Sequence, residues 1–250
     1  MTGNARPAQA FSGDTDVWIV DLAASAAALH AIEKTRGLLT EAERARAERM
    51  MNAQLRERWI AAHSALHIVL GDRIGRAIHF AEAAATVKPR VVDWSGDFSL
   101  SHTGDLVLIA IRDQGRVGID AEIRRPVRIG DERRHLIEIA GAAMLPDAPL
   151  PSDDPEMSIL AAWTRLEATA KMRATGIGAF LETLGIIANG PGADVVAARA
   201  RQLMADEAQP AGLSDIDVGA FDAVATLATS PPAGPPRLHH LSTAHSLLAN

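Results

Sequence analysis

The stretch "RVGIDAEIRRP", Arg116–Pro126, decides how the chain is read. Successive strand residues point to opposite faces. Val117, Ile119, Ala121 and Ile123 therefore share one side, and Gly118, Asp120, Glu122 and Arg124 share the other. The two acids stand roughly 6.5–7 Å apart along such a strand. Their repulsion is a fraction of a kcal/mol in water but reaches roughly 2.5 kcal/mol in a half-desolvated cleft. Two accounts fit the segment by itself. One is a solvated outer sheet face, which costs little; the other is a divalent cation held between the carboxylates.

Working outward, "LVLIAIR" at 106–112 reads as a second strand, joined to the first through Asp113-Gln114-Gly115 as a hairpin. Further upstream, "DVWIVDLA" from Asp16 to Ala23 is a strand. A capping box at Thr40–Glu43 opens a helix expected to run to Gly71, with Met50, Leu55, Trp59, Leu66 and Leu70 at helical spacing. Downstream, Asp154-Pro155 opens a second main helix that is expected to stop at Gly176, and a late strand covers 221–229. Strand, helix and hairpin each occur once per half, without a repeat of fixed period. The expected fold is α+β: two similar lobes, 15–113 and 114–229, related by a pseudo-twofold. Each lobe would pack a small antiparallel sheet on a long helix, with the active site in the cleft between them. Residues 1–14 and 230–250, the latter with "SPPAGPPR", read as flexible ends.

The 250 residues suffice for a large packed core, and a formal net charge of −6 argues against general nucleic-acid binding. No cysteine is present, so disulfides and thiolate metal sites are excluded. The first residues lack the apolar segment of a secretory signal, and the longest fully apolar run, "LVLIAI", is too short to span a bilayer. A cytoplasmic protein without a membrane partner is the expectation.

Four further stretches carry candidate chemistry. In "FSLSHTGD", Ser99 and Ser101 alternate with Phe98 and Leu100 before His102 at the strand end, where a side chain is open to ligands or simply structural. In "WTRLEATAK", Glu167 and Lys171 share a helix face at i,i+4 next to Trp163, which favours partial burial over a plain surface pair. "VKPR" sets Lys88 and Arg90 around Pro89, a stiff basic loop suited to phosphate. "IRRPVRIGDERRH" concentrates Arg124, Arg125, Arg128, Arg133 and Arg134, which suits an acidic partner or an anionic ligand and equally a solvated connector. A phosphate loop of the GxxxxGK[ST] type, an HExxH helix and a GxSxG elbow are all missing. His63 and His67, at i,i+4 without an acid nearby in sequence, read as ordinary helix residues.

The ordered set "FSLSHTGD", "VGIDAE" and "WTRLEATAK" leading into "ATGIG" resembles the 4′-phosphopantetheinyl transferases of the larger, two-lobed, surfactin-synthetase-activating type, over roughly residues 16–229. The resemblance implies transfer of phosphopantetheine from coenzyme A to a serine of an apo acyl or peptidyl carrier protein, by a monomer using Mg²⁺, with Mn²⁺ as a substitute. It implies that Asp120, Glu122 and Glu167 hold the metal, that Glu167 or a metal-bound water takes the serine proton, and that Lys171 stabilises the pyrophosphate. Ser101 and His102 match the element that contacts coenzyme A phosphates. Lys88 with Pro89 matches a cationic loop, Arg58 matches a nucleotide-phosphate position, and Arg46 joins it. Three positions depart from the pattern: Val87 replaces a loop glycine, Leu166 a lysine, and His67 a basic residue. Competing readings are a non-catalytic carrier-binding module, which has no use for a metal cluster, and a Mg²⁺-dependent phosphodiesterase acting on another pyrophosphate, which would consume coenzyme A without a carrier.

Overall fold

The computed structural model describes residues 15–81, 88–187 and 192–241. The chain runs β1 (Thr15–Asp21), α1 (Leu22–Arg36), α2 (Glu41–Glu48), α3 (Ala53–Ile74), β2 (Asp97–Thr103), β3 (Leu106–Arg112), β4 (Arg116–Ile123) and α4 (Asp131–Met144). It continues with α5 (Pro155–Met172), α6 (Ile177–Leu184), α7 (Ala193–Met204), β5 (Gly212–Asp215), β6 (Ala223–Ser230) and β7 (Arg237–His240). The expected α+β mixture is present, as two small sheets and seven helices among the described residues. Among them, no helix is long and apolar enough to cross a membrane.

One sheet has the order β2-β3-β1-β7 and the other β4-β6-β5. β3 shows why "LVLIAI" is continuously apolar: both of its faces are covered. Val107, Ile109 and Ile111 pack into a core with α1 and α3, while Leu106, Leu108 and Ala110 face the second sheet. There they meet Val117, Ile119 and Ala121 of β4, so the period-two reading of the opening stretch holds for these three residues. A separate core joins α4, α5, α6 and α7.

Four sequence expectations need correction. β3 and β4 are not a hairpin, because β3 already spends its two edges on β1 and β2, and β4 crosses to the other sheet and pairs with β6. The helix from Thr40 breaks in two: Thr40 and Glu43 form the capping box of α2, and Asn52, accepting from the Leu55 N–H, caps a fresh start for α3. The helix expected to reach Gly176 ends at Met172, after which Ala174 takes a left-handed conformation and Gly176 opens α6. Part of the tail expected as flexible is built in: β7 pairs parallel with β1, and Arg237 and His239 both bond Asp16, which is 1 % exposed. α1, an alanine-rich helix capped by Asp21, has no counterpart among the elements expected from the sequence.

The two sheets meet along β2 and β4, in a seam that side chains close. Asp97 Oδ2, Ser99 Oγ, Ser101 Oγ and Thr103 Oγ1 accept the backbone N–H groups of Val117, Ile119, Ala121 and Ile123, at 2.9, 3.0, 3.2 and 3.4 Å. Every second residue of one strand thus serves every second residue of the other, and the β4 donors that face β2 are satisfied without a backbone ladder between the two strands. This explains the polar alternation of "DFSLSHT" and points Asp120 and Glu122 into the space above the seam.

Candidate functional site

Five elements bring side chains to one cleft of about 290 Å³, lined by Arg46, Trp59, His63, Leu100, Ser101, His102, Asp120, Ala121, Glu122, Glu167 and Lys171. β4 contributes Asp120 and Glu122. α5 lies across β4 and contributes Glu167 and Lys171. The end of β2 adds Ser101 and His102, and α2 and α3 add Arg46 with Trp59 and His63. Residues more than a hundred positions apart in sequence form one pocket, with Asp120, Glu122, Glu167 and Lys171 on the β4/α5 side and Arg46, Trp59, His63 and His102 on the α2/α3/β2 side.

Asp120 is buried, and both of its bonds fall on Oδ1: Lys171 Nζ donates at 2.7 Å and Ser101 Oγ at 2.8 Å. Oδ2 is buried with no hydrogen-bond partner. Glu122 is held by Arg125, whose Nη2 lies 3.1 Å from Oε1. Burial first, then the charges of Asp120 and of Glu122, push the Glu167 carboxyl above its ordinary value, while Lys171 and the Trp163 indole hold it back. Lys171 on α5 pairs with Asp120 on β4. Among the described residues no three His, Asp or Glu side chains converge into a ready-made metal cage. Two of the three acids are drawn to cations of the protein. The donor set still suits a hard divalent cation, since carboxylate oxygens are its preferred ligands and Asp120 Oδ2 lacks a partner.

The opposite wall rests on a residue that sequence reasoning missed. Glu43, of the α2 capping box, meets His63 Nδ1 at 2.9 Å and His67 Nε2 at 2.8 Å. Burial alone would raise its carboxyl, but the hydrogen bonds of the two histidines outweigh that and hold it far below the usual range. An ionised carboxylate only accepts, so both ring nitrogens donate. Burial in turn holds His63 below its ordinary value, against the pull of Glu43. His63 stacks on Trp59 with ring centroids 3.7 Å apart, and the Arg46 guanidinium lies 5.7 Å from the Trp59 centroid. The acid absent from the sequence neighbourhood of His63 and His67 was thus twenty residues upstream. Glu43→Ala would orphan two buried imidazole N–H groups and the cap, and is expected to cost about 2–4 kcal/mol in a denaturant titration.

His102 keeps an exposed edge, yet desolvation in the cleft and then the charges of His63, Lys171 and Arg46 bring it down to about 4. A group depressed on folding stabilises fully above its unfolded value, here 6.5, and loses that contribution as pH falls through the folded value. The difference in thermal midpoint between the wild type and His102→Asn is expected to be constant above pH 6.5 and to shrink towards pH 4.

Three predicted site residues do not line the cleft. Arg58 bonds Asp105 at 2.8 Å. Lys88 lies at the far end of the β2/β4 seam, where it bonds Asp97 Oδ2 and Val117 O at 2.6 Å each, with Pro89 exposed beside it. The replacement noted at Val87 falls outside the described residues. Leu166 is fully buried in the helical core, and the arginine-rich stretch is largely tied up: Arg124 with Asp154 and Asp222, Arg134 with Glu156.

Against known proteins, the sequence is 31% identical over 118 residues to 4′-phosphopantetheinyl transferase AcpT of Escherichia coli (strain K12). That match takes in 47% of this chain and 58% of the relative. A 79-residue segment is 37% identical to AcpT of Salmonella typhimurium (strain LT2), taking in 30% of this chain and 39% of the relative. The curated relatives are phosphopantetheinyl transferases. The chain spans little more than half the length of the E. coli relative, and no family model matches it.

Proposed function

We propose that the chain transfers 4′-phosphopantetheine from coenzyme A to a serine of an apo acyl or peptidyl carrier protein, releasing adenosine 3′,5′-bisphosphate, as a member of the two-lobed type. The observation that carries this reading is the meeting of Asp120, Glu122, Glu167 and Lys171 with Arg46 and His102 in one cleft, in a chain whose curated relatives bear that enzyme's name. In the reaction the serine Oγ forms a bond to the β-phosphorus of coenzyme A and the phosphoanhydride P–O bond breaks. The serine proton goes to Glu167, whose raised affinity for protons suits a general base. Asp120, Glu122 and Glu167 are the residues to hold a Mg²⁺, which would supply charge neutralisation at the pyrophosphate. Lys171 and Arg46 add positive charge from the protein, and Trp59 with His63 keeps the Arg46 wall in place.

The test is to incubate the protein with coenzyme A, Mg²⁺ and an apo carrier protein and to weigh the carrier intact. The expected result is a phosphopantetheine mass gain that disappears with EDTA. No gain on fatty-acid, polyketide and peptide carriers alike would overturn the proposal. Loss of coenzyme A without any carrier would instead indicate a phosphodiesterase.

A further inference from the structure

We infer that Lys171 is the resident counter-cation of Asp120, and that a divalent cation entering the cleft competes with its ammonium for that carboxylate. The inference rests on the reading of Asp120, Glu122 and Glu167 as metal-holding acids. An ammonium has three protons to donate, and Lys171 places them on Asp120 Oδ1 at 2.7 Å, on Ile119 O at 3.1 Å and on Leu100 O at 3.5 Å. Leu100 belongs to β2 and Ile119 to β4, so the ammonium sits astride the seam between strands that share no backbone ladder. Lys171 thus has a position of its own and is not a cation waiting in solvent.

The reason for that position lies in Asp120. Its side chain is only 6 % exposed, and a buried carboxylate without a counter-charge is costly. Ser101 and Lys171 supply Oδ1, and nothing supplies Oδ2. The carboxylate is therefore compensated on one oxygen and unsatisfied on the other, with one unit of positive charge already beside it. Glu122, at the cleft rim, is likewise drawn to a cation, with Arg125 donating to both of its carboxylate oxygens. The same ammonium that keeps Asp120 tolerable in the folded chain repels any second cation brought to that carboxylate. Metal affinity is consequently set against Lys171, and neutralising Lys171 has two linked effects. The metal-free protein becomes less stable, and the cation binds more tightly and returns the lost stability.

The experiment titrates Mn²⁺ alone, without coenzyme A or carrier, into the wild type, Lys171→Met, Lys171→Gln and Asp120→Asn, reading free Mn²⁺ by electron paramagnetic resonance and the thermal midpoint alongside. Lys171→Met is expected to bind Mn²⁺ about tenfold more tightly or more, the scale of removing one unit charge beside a partly desolvated site. Its midpoint should start lower and climb further with Mn²⁺ than that of the wild type. If Lys171→Met does not fold, Lys171→Gln, neutral but polar, carries the same expectation. A lysine acting only as structural glue would lower the midpoint equally with and without Mn²⁺. Unchanged, weaker or undetectable Mn²⁺ binding by the folded neutral variant overturns the competition. In that case a loss of binding in Asp120→Asn would leave the metal reading standing, whereas equal binding by wild type and Asp120→Asn would overturn both.

Discussion

Glu167→Gln is expected to lower phosphopantetheine transfer by roughly 10²–10⁴-fold, the usual worth of a positioned general base. Coenzyme A binding should change much less. Glutamine keeps the size of the side chain and a carbonyl oxygen for the Trp163 indole, but it cannot take the serine proton. Glu167 is pushed towards protonation, by burial and then by the charges of Asp120 and Glu122. The proton acceptor is therefore the group whose basicity the neighbouring charges already raise. Substitution also removes one negative charge from the cleft, so the residual activity should need more Mg²⁺ as well as more time. The measurement is carrier mass gain against time at saturating coenzyme A, with coenzyme A binding followed by calorimetry on the same samples. Near-normal turnover would take Glu167 out of the base role and leave the proton to another acceptor in the cleft.

How much of this was legible beforehand depended on the range of the interaction concerned. Alternation in Arg116–Ile123 needed only local geometry, and it placed Ile119 against the core and Asp120 towards the cleft correctly. The same alternation was visible in "DFSLSHT", but its cause was not. Asp97, Ser99, Ser101 and Thr103 are polar because β4 lies alongside, and that adjacency is set by the packing of two sheets. The false hairpin has the same origin. A turn signal at Asp113-Gln114-Gly115 says that the chain reverses, but not that β3 has already used both edges. Glu43 was recognised as a cap and missed as the anchor of His63 and His67, since α2 folds back on α3 only after the break at Asn52. Lys88 shows the converse. Its charge suggested a ligand, and the fold gives it Asp97 and a strand carbonyl instead.

Gly118→Ala is expected to cost about 3 kcal/mol or more, at or beyond the top of the usual range for an overpacked core, and to reduce transfer by roughly a hundredfold or more. The glycine sits in the middle of "VGIDAE" with no unusual backbone conformation to demand it; what demands it is space. A Cβ there would lie 2.0 Å from Ala168 O and 2.5 Å from Met172 N. Both are backbone atoms of α5, so no side-chain rotation relieves the clash, and α5 must lift off β4. That interface joins the two halves of the acidic wall, with Asp120 and Glu122 on the strand and Glu167 and Lys171 on the helix. A shift of even 1 Å pulls Lys171 from Ile119 O and spreads the three carboxylates, which is why stability and activity should fall together. At about 2–4 °C per kcal/mol for a chain of this size, the thermal midpoint should drop by roughly 6–12 °C. Gly178→Ala is the matched control: inside α6 its Cβ meets nothing within 4 Å, and better helix propensity should leave the protein as stable or about 0.5–1 kcal/mol more so. A Gly118→Ala protein that melts with the wild type would mean that α5 does not rest on β4 at this distance, and the cleft built on that contact would have to be redrawn.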